Sequence, residues 1–170
     1  MLSMPIVDLL ERGRQLAARG ERVSVLWQEP ESLAFVARGR EYRSEFHVNP
    51  SDEVMLMIKG DMRLHYRTPA GKEEIAIVPE GSTIYTPAGT PHSPRFARDS
   101  FVLVLERKRK AEEEDRFLWY CEACGAQLYE AVRHVSDWRA DPVTAVYEDF
   151  YLTEAHRTCG KCGHVTPRPQ

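Results

Sequence analysis

From Val23 onward the chain repeats with a period of two. The segments VSVLW, SLAFVAR, YRSEFHV, EVMLMIK, MRLHYRT, EEIAIV, STIYTP and FVLVLER follow one another as far as Arg107. Apolar and polar residues alternate within them, which predicts strands with one apolar face. Glu-Pro, Gly-Arg, Asn-Pro, Lys-Gly-Asp, Pro-Ala-Gly, Pro-Glu-Gly and Pro-His-Ser-Pro separate them, and each is a turn signal. About eight short strands with no helix between them argue an antiparallel barrel or jelly roll, so the expected fold class is mainly β. An amphipathic helix is expected from Pro5 to Arg19, with Ser3 as N-cap, Ile6, Leu9, Leu10 and Leu16 as apolar stripe, and Gly20 as stop. The charge run KRKAEEEDR (Lys108–Arg116) reads as a solvated border. It divides an expected barrel over residues 1–110 from a small extension over residues 111–170. The extension is expected to hold a strand pair in AQLYEAVRHV and a helix from about Asp141 to His156.

Composition narrows the function classes. A chain of 170 residues holds one domain of ordinary size plus an appendage. A net charge of −3 and a pI near 6.1 give no broad basic surface, so nucleic acid is not an expected partner. No apolar run approaches the ~20 residues of a membrane helix. MLSMPIVDLLERGRQLAARG puts charges where a signal peptide needs its apolar core. The expected compartment is the cytoplasm, where the four cysteines favour metal over disulfides.

Two spaced segments carry the chemistry. His47 and Glu53 stand six residues apart around Asn49-Pro50-Ser51-Asp52, and a turn there can bring the two side chains together on adjoining strands. His92 follows Pro87-Ala88-Gly89, a turn that can aim its imidazole back into a barrel. Either histidine alone reads as a polar strand end. Together the segments match His-x5-Glu-x6-Gly and Gly-x5-Pro-x-Gly-x2-His, the cupin signatures, with Asn49 where a second histidine is usual. Two imidazoles and one carboxylate make an open metal site suited to Fe(II), with positions free for substrate and dioxygen.

A second site is closed. Cys121-x-x-Cys124-Gly and Cys159-x-x-Cys162-Gly are two knuckles with 34 residues between the inner cysteines. Four thiolates suit tetrahedral Zn or mononuclear Fe in a structural role. A redox C-x-x-C or two local disulfides are the alternatives, but neither knuckle follows a thioredoxin-like βαβ pattern. His164 is read as a bystander.

Taken together, Arg43-SEF-His47, Glu53, PHSPR (Pro91–Arg95), VLVLERKR (Val102–Arg109), FLWYCEACG (Phe117–Gly125), YEDFY (Tyr147–Tyr151) and CGKCG resemble the 3-hydroxyanthranilate 3,4-dioxygenases. The likeness is to the bacterial and fungal form with a rubredoxin-like C-terminal metal site. It implies a cupin jelly-roll barrel, catalytic Fe(II) on His47, Glu53 and His92, and a second Fe or Zn on Cys121, Cys124, Cys159 and Cys162. Arg43 and Glu106 are implied as catalytic and substrate-binding residues, with Glu106 buried beside the metal. The implied reaction converts 3-hydroxyanthranilate and O2 to 2-amino-3-carboxymuconate semialdehyde, which cyclises to quinolinate. A homodimer is the implied assembly.

Two features depart from the family pattern. The family's substrate arginine follows the second histidine by four residues, whereas Arg95 follows His92 by three. A one-residue slip turns a side chain to the opposite face of a strand. Either the loop absorbs it and Arg95 binds the substrate carboxylate, which is the expectation, or the clamp is altered and Arg98 or nothing replaces it. After Glu53 the family tends to aromatics, and this chain has Val54-Met55-Leu56-Met57. Both departures touch the substrate pocket and leave the metal ligands alone. The rival functions are cleavage of a different ortho-aminophenol and, against Arg43 and Glu106, a non-enzymatic metal- or ligand-binding cupin.

Overall fold

Alternation along the chain resolves into two facing antiparallel sheets in a computed structural model that describes residues 4–40, 43–140 and 142–168. The strands are β1 (Val23–Glu29), β2 (Ser32–Arg38), β3 (Phe46–Val48), β4 (Glu53–Lys59), β5 (Met62–Arg67), β6 (Glu73–Val78), β7 (Thr83–Thr86), β8 (His92–Phe96), β9 (Phe101–Glu106), β10 (Asp115–Tyr120) and β11 (Gln127–Arg133). One sheet has the order β1-β2-β9-β4-β7 and the other β11-β10-β3-β8-β5-β6. The inner faces pack Phe35, Met55, Met57, Met62, Leu64, Val102, Val104 and Phe117 into one core, all buried. Strand parity decides what shares that core. Val102, Val104 and Glu106 lie on one face of β9, so a carboxylate points where two valines point.

The N-terminal helix α1 (Leu9–Arg19) starts four residues later than the sequence suggests. Asp8 caps it, its side chain accepting from the Glu11 amide at 2.9 Å, and Gly20 closes it at φ 70°. Ile6 lies before the helix and is 99% exposed, and Ser3 falls outside the described residues. Leu16 packs with Val36 and Phe101 on the outer face of the first sheet. Gly13 faces the Phe101 ring so closely that a Cβ there would lie 2.5 Å from its carbons.

Three further differences follow from long-range pairing. His92–Phe96 forms a strand despite Pro94, because β3 and β5 flank it and Leu64 stands opposite the proline. The region past residue 110 does not stand apart, since β10 pairs with β3 and carries β11 with it as the continuation of the second sheet. AQLYEAVRHV contributes the single strand β11, paired to β10 across the first cysteine knuckle. The C-terminal helix is broken into α2 (Pro142–Leu152) and α3 (Glu154–Arg157) by Thr153, which is extended at φ −102° and ψ 108°; Asp141 is outside the described residues. Among the described residues no helix is long and apolar enough to cross a membrane.

Candidate metal centres

Strand pairing brings the first three ligands together. β3 and β8 set His47 directly opposite His92, and Glu53 opens β4 in the facing sheet. All three are buried, and their ligand atoms lie within 4.8 Å of one another. The His92 Nδ1 is 2.9 Å from the Thr90 carbonyl, which can only accept, so Nδ1 carries the proton and Nε2 faces Glu53 at 3.4 Å. His47 is turned the other way. Its Nε2 donates to Asp115 Oδ1 at 2.6 Å, leaving Nδ1 for a metal. Burial alone would raise Glu53, but the His92 imidazole draws it down to about 2, and burial pushes His47 below its ordinary value. One ionised carboxylate and a neutral imidazole are the ligand forms a divalent cation needs.

Arg43 and Glu106 line the same cavity as the three ligands, as the resemblance implies. Arg43 Nε sits 2.7 Å from Glu45 Oε1, and Glu45 is fully buried. Glu106 has a side chain 1% exposed. Burial, reinforced by the nearby charge of Glu53, pushes its pKa up to about 8 against the pull of Arg109. Its Oε1 makes no hydrogen bond within the protein.

Arg95 is not brought to this site. His92, Pro94 and Phe96 face the cavity, and a regular strand then turns Arg95 outward over the Phe46 ring, 5.8 Å from its centroid. β8 pairs with β5 in unbroken register, so no loop absorbs the slip. Arg95 and Arg98 instead line an adjoining pocket, which shares Arg40 and Arg43 with the cavity. His65 is also remote from the ligands, with its Nδ1 2.7 Å from Glu73.

Four residues of the site carry no clear mark in the sequence. Asn49, where a cupin has a ligand, donates from Nδ2 to Glu53 Oε2 at 3.1 Å and to Glu106 Oε2. Its Oδ1 accepts from the Ser51 amide and hydroxyl at 2.8 and 2.9 Å, which settles which end of the amide faces the carboxylates. Trp138, stacked on Phe35 at 5.2 Å, closes one wall of the cavity. Arg109 and Asp115 belong to the charge run expected to be solvated, yet both side chains are 0% exposed. Their alternation with Lys and Glu hides them, since only the path of the loop after β9 turns Arg109 inward and only the pairing of β10 does so for Asp115.

The cysteine site is built by two equivalent turns. In each, the glycine after the knuckle has a positive φ, 70° at Gly125 and 75° at Gly163, and its amide returns to the first cysteine's carbonyl at 2.8 Å. The Cys121–Cys162 and Cys124–Cys159 sulfurs are 3.7 and 3.6 Å apart. That is far beyond a disulfide bond of ~2.05 Å. It is close to the edge, about 3.8 Å, of a tetrahedron with metal–sulfur bonds of ~2.3 Å. None of the four thiols is in a disulfide. Backbone amides draw Cys159 down to about 6, while, against a backbone hydrogen bond from His164, its sulfur neighbours push Cys162 up to about 12. The four therefore share their protons, and a metal must displace those that remain. His164 contributes its carbonyl to the second turn, and its imidazole is not among the ligand atoms.

Comparison with known proteins shows the family. A family model described as 3-hydroxyanthranilic acid dioxygenase matches residues 22–151. The 3-hydroxyanthranilate 3,4-dioxygenase of Bacillus thuringiensis (strain Al Hakam) is 32% identical over 165 residues, which cover 97% of this chain and 92% of the relative. The enzyme of the same name from Paraburkholderia phytofirmans is 34% identical over 143 residues, covering 84% and 81%. Among solved structures, a Bacillus halodurans protein superposes with a TM-score of 0.50 at 13% identity, over 64% of this chain and 84% of its own. A Methanocaldococcus jannaschii rmlc-like cupin family protein with a double-stranded β-helix fold gives a TM-score of 0.43 at 19% identity, over 50% and 77%. Matched by that family model over most of its length and by relatives of this name, the chain, with its buried His–Glu–His triad and its four converging thiols, belongs to the 3-hydroxyanthranilic acid dioxygenase family and is a metal-dependent dioxygenase.

Proposed function

We propose that the chain cleaves the ring of 3-hydroxyanthranilate with dioxygen to give 2-amino-3-carboxymuconate semialdehyde, using Fe(II) on His47, Glu53 and His92. The observation that carries this reading is the placement of Arg43 and Glu106 on the wall of the same buried cavity as the triad, in a chain of this family. Three protein donors leave coordination positions open for two ortho substituents and dioxygen. Bound there, Fe(II) supplies the electron path between an electron-rich ring and dioxygen. Both atoms of dioxygen end in the product, so no external reductant enters.

The chain's own residues position, neutralise and exclude water. Glu106, which burial keeps protonated up to about pH 8, can hold or release a proton at the ring hydroxyl. Its Oε1, which lies 3.3 Å from Arg109 Nη1 but makes no hydrogen bond within the protein, is the atom left for this task. Arg43 sets positive charge beside the reacting oxygens. With Arg95 on the outer face, Arg38 and Arg40 supply the cationic wall for the substrate carboxylate. Trp138 and Phe35 give the flat apolar surface a planar ring packs on and keep water out. The four cysteines hold a structural Fe or Zn. Their free thiols fit a reducing compartment, the cytoplasm. A homodimer completes the reading, supported by Ile75 and Ile77, 44% and 57% exposed on edge strand β6.

One observation favours a second reading. The outward Arg95 and the aliphatic Val54–Met57 run suit an ortho-aminophenol with a different ring substituent. Anaerobic addition of 3-hydroxyanthranilate to the Fe(II) protein, followed by air and ultraviolet monitoring, decides. Formation of the semialdehyde at many turnovers per iron supports the first reading. Faster turnover of a ring-substituted aminophenol favours the second, and no oxygen-dependent change with any of them sinks both.

A further inference from the structure

The loop after β9 and the first residue of β10 put into the core two charges that lie off the cavity wall. Arg109 and Asp115 are both 0% exposed at the side chain, and neither lines the cavity. Their guanidinium–carboxylate pair is bidentate, with Arg109 Nε to Asp115 Oδ2 at 2.7 Å and Nη2 to Oδ1 at 2.6 Å. Each member also reaches one half of the site. Asp115 Oδ1 accepts the His47 Nε2 proton at 2.6 Å. Arg109 approaches Glu106 twice, Nη2 to Oε2 at 3.4 Å and Nη1 to Oε1 at 3.3 Å. Arg109 Nη1 is fixed further by the Arg107 carbonyl at 3.1 Å. On the far side Asn49 joins Glu106 to Glu53. The chain of contacts is therefore continuous from His47 through Asp115, Arg109, Glu106 and Asn49 to Glu53.

A buried ion pair of this kind adds little net stability compared with apolar residues of the same size, because both charges lose their hydration. Stability alone therefore gives no reason to place it behind the metal triad. We propose that Arg109 and Asp115 are positioning residues that act as one unit, Asp115 setting the tautomer and angle of His47 and Arg109 setting the carboxyl plane of Glu106, so that metal and substrate are aligned to each other. The inference rests on the function proposed above. It extends that function to residues whose effect on substrate passes through others.

The test uses full-length protein loaded with metal at both sites, and compares wild type, Asp115→Asn, Arg109→Lys and the double variant. Asparagine keeps the shape of Asp115 and removes its charge, and lysine cannot span two carboxylates as a planar fork does. Triad metal affinity is read by chelator competition, with retention of the cysteine-site metal as the internal marker of folding. Substrate affinity is read anaerobically, and kcat and KM in air. Asp115→Asn is expected to weaken triad metal binding about 10- to 100-fold. It should also weaken anaerobic substrate binding several-fold, although Asp115 lines no part of the cavity. Arg109→Lys is expected to lower kcat about tenfold or more and to weaken metal binding measurably. The double variant should lose no more than about threefold beyond the worse single one, as members of one unit do.

Triad metal affinity and kcat/KM within about twofold of wild type in folded Asp115→Asn would overturn the proposal, as would losses that simply multiply in the double variant. If Arg109→Lys fails to fold, the joint effect of Asp115→Asn on metal and substrate binding still decides. A wild type that holds no metal at the triad or cleaves no ring points instead at the functional reading. An active wild type with unaffected variants sinks this inference alone.

Discussion

Glu106→Gln tests the electrostatics of the cavity directly. The carboxyl is buried between the charge of Glu53 and the guanidinium of Arg109, and burial wins, lifting the pKa from the ordinary 4.5 to about 8. A raised pKa means that the folded state binds the proton more tightly than the unfolded one. The stabilisation is therefore complete below about pH 4.5 and disappears as pH rises through about 8. Across that window a single group shifted this far contributes on the order of 4–5 kcal/mol. Glutamine has the same shape and no proton to lose, so its effect on packing and on Arg109 is a constant offset. The assay is denaturant unfolding of wild type and Glu106→Gln at intervals from pH 5 to pH 9, after chelation of the triad metal with the cysteine-site metal retained. Groups that do not sense Glu106 titrate alike in both proteins and cancel in the difference, and Glu53, which does sense it, is drawn down to about 2, below the window. Wild type is expected to lose its advantage steadily toward alkaline pH. A difference that stays flat within about 1 kcal/mol would show that Glu106 is ionised throughout, with Arg109 and not burial in control.

Three further expectations follow from the same geometry. Elemental analysis of iron-grown protein should give close to two metals per chain. Cys121→Ser should remove one and His92→Ala the other, and loss of one shared metal by both variants would refute two separate sites. Arg40→Met should raise KM for 3-hydroxyanthranilate about tenfold or more and scarcely change that for 2-aminophenol, which lacks the carboxylate, while Arg95→Ala leaves both within about twofold. The opposite pattern would return the carboxylate to Arg95. Gly13→Ala should destabilise the protein by about 1–3 kcal/mol in denaturant, because overpacking against Phe101 outweighs the ~1 kcal/mol that alanine gains in a helix. An unchanged or higher midpoint would mean that the ring moves aside freely.

Features set by local pattern can be read directly from the residues. Period-two alternation from Val23 to Arg107 dictates strands with one inward face, and two C-x-x-C-Gly turns dictate paired thiolates, because spacing within a few residues sets which way side chains point. His47, Glu53 and His92 were legible for the same reason, each sitting beside its own turn. Other features depend on which distant segments meet, and those emerge only in the folded chain. Pro94 is accepted in a strand because β3 and β5 flank it. The ladder register of β8 assigns Arg95 to the outer face, a choice of parity that composition does not contain. Arg109 and Asp115 look like solvated charges in a charged run, and their burial is tolerable because each neutralises the other and because His47, 68 residues from Asp115, donates a further hydrogen bond to the carboxylate. Charge can be read from a sequence, but the cost of hiding it is set by the company the fold provides.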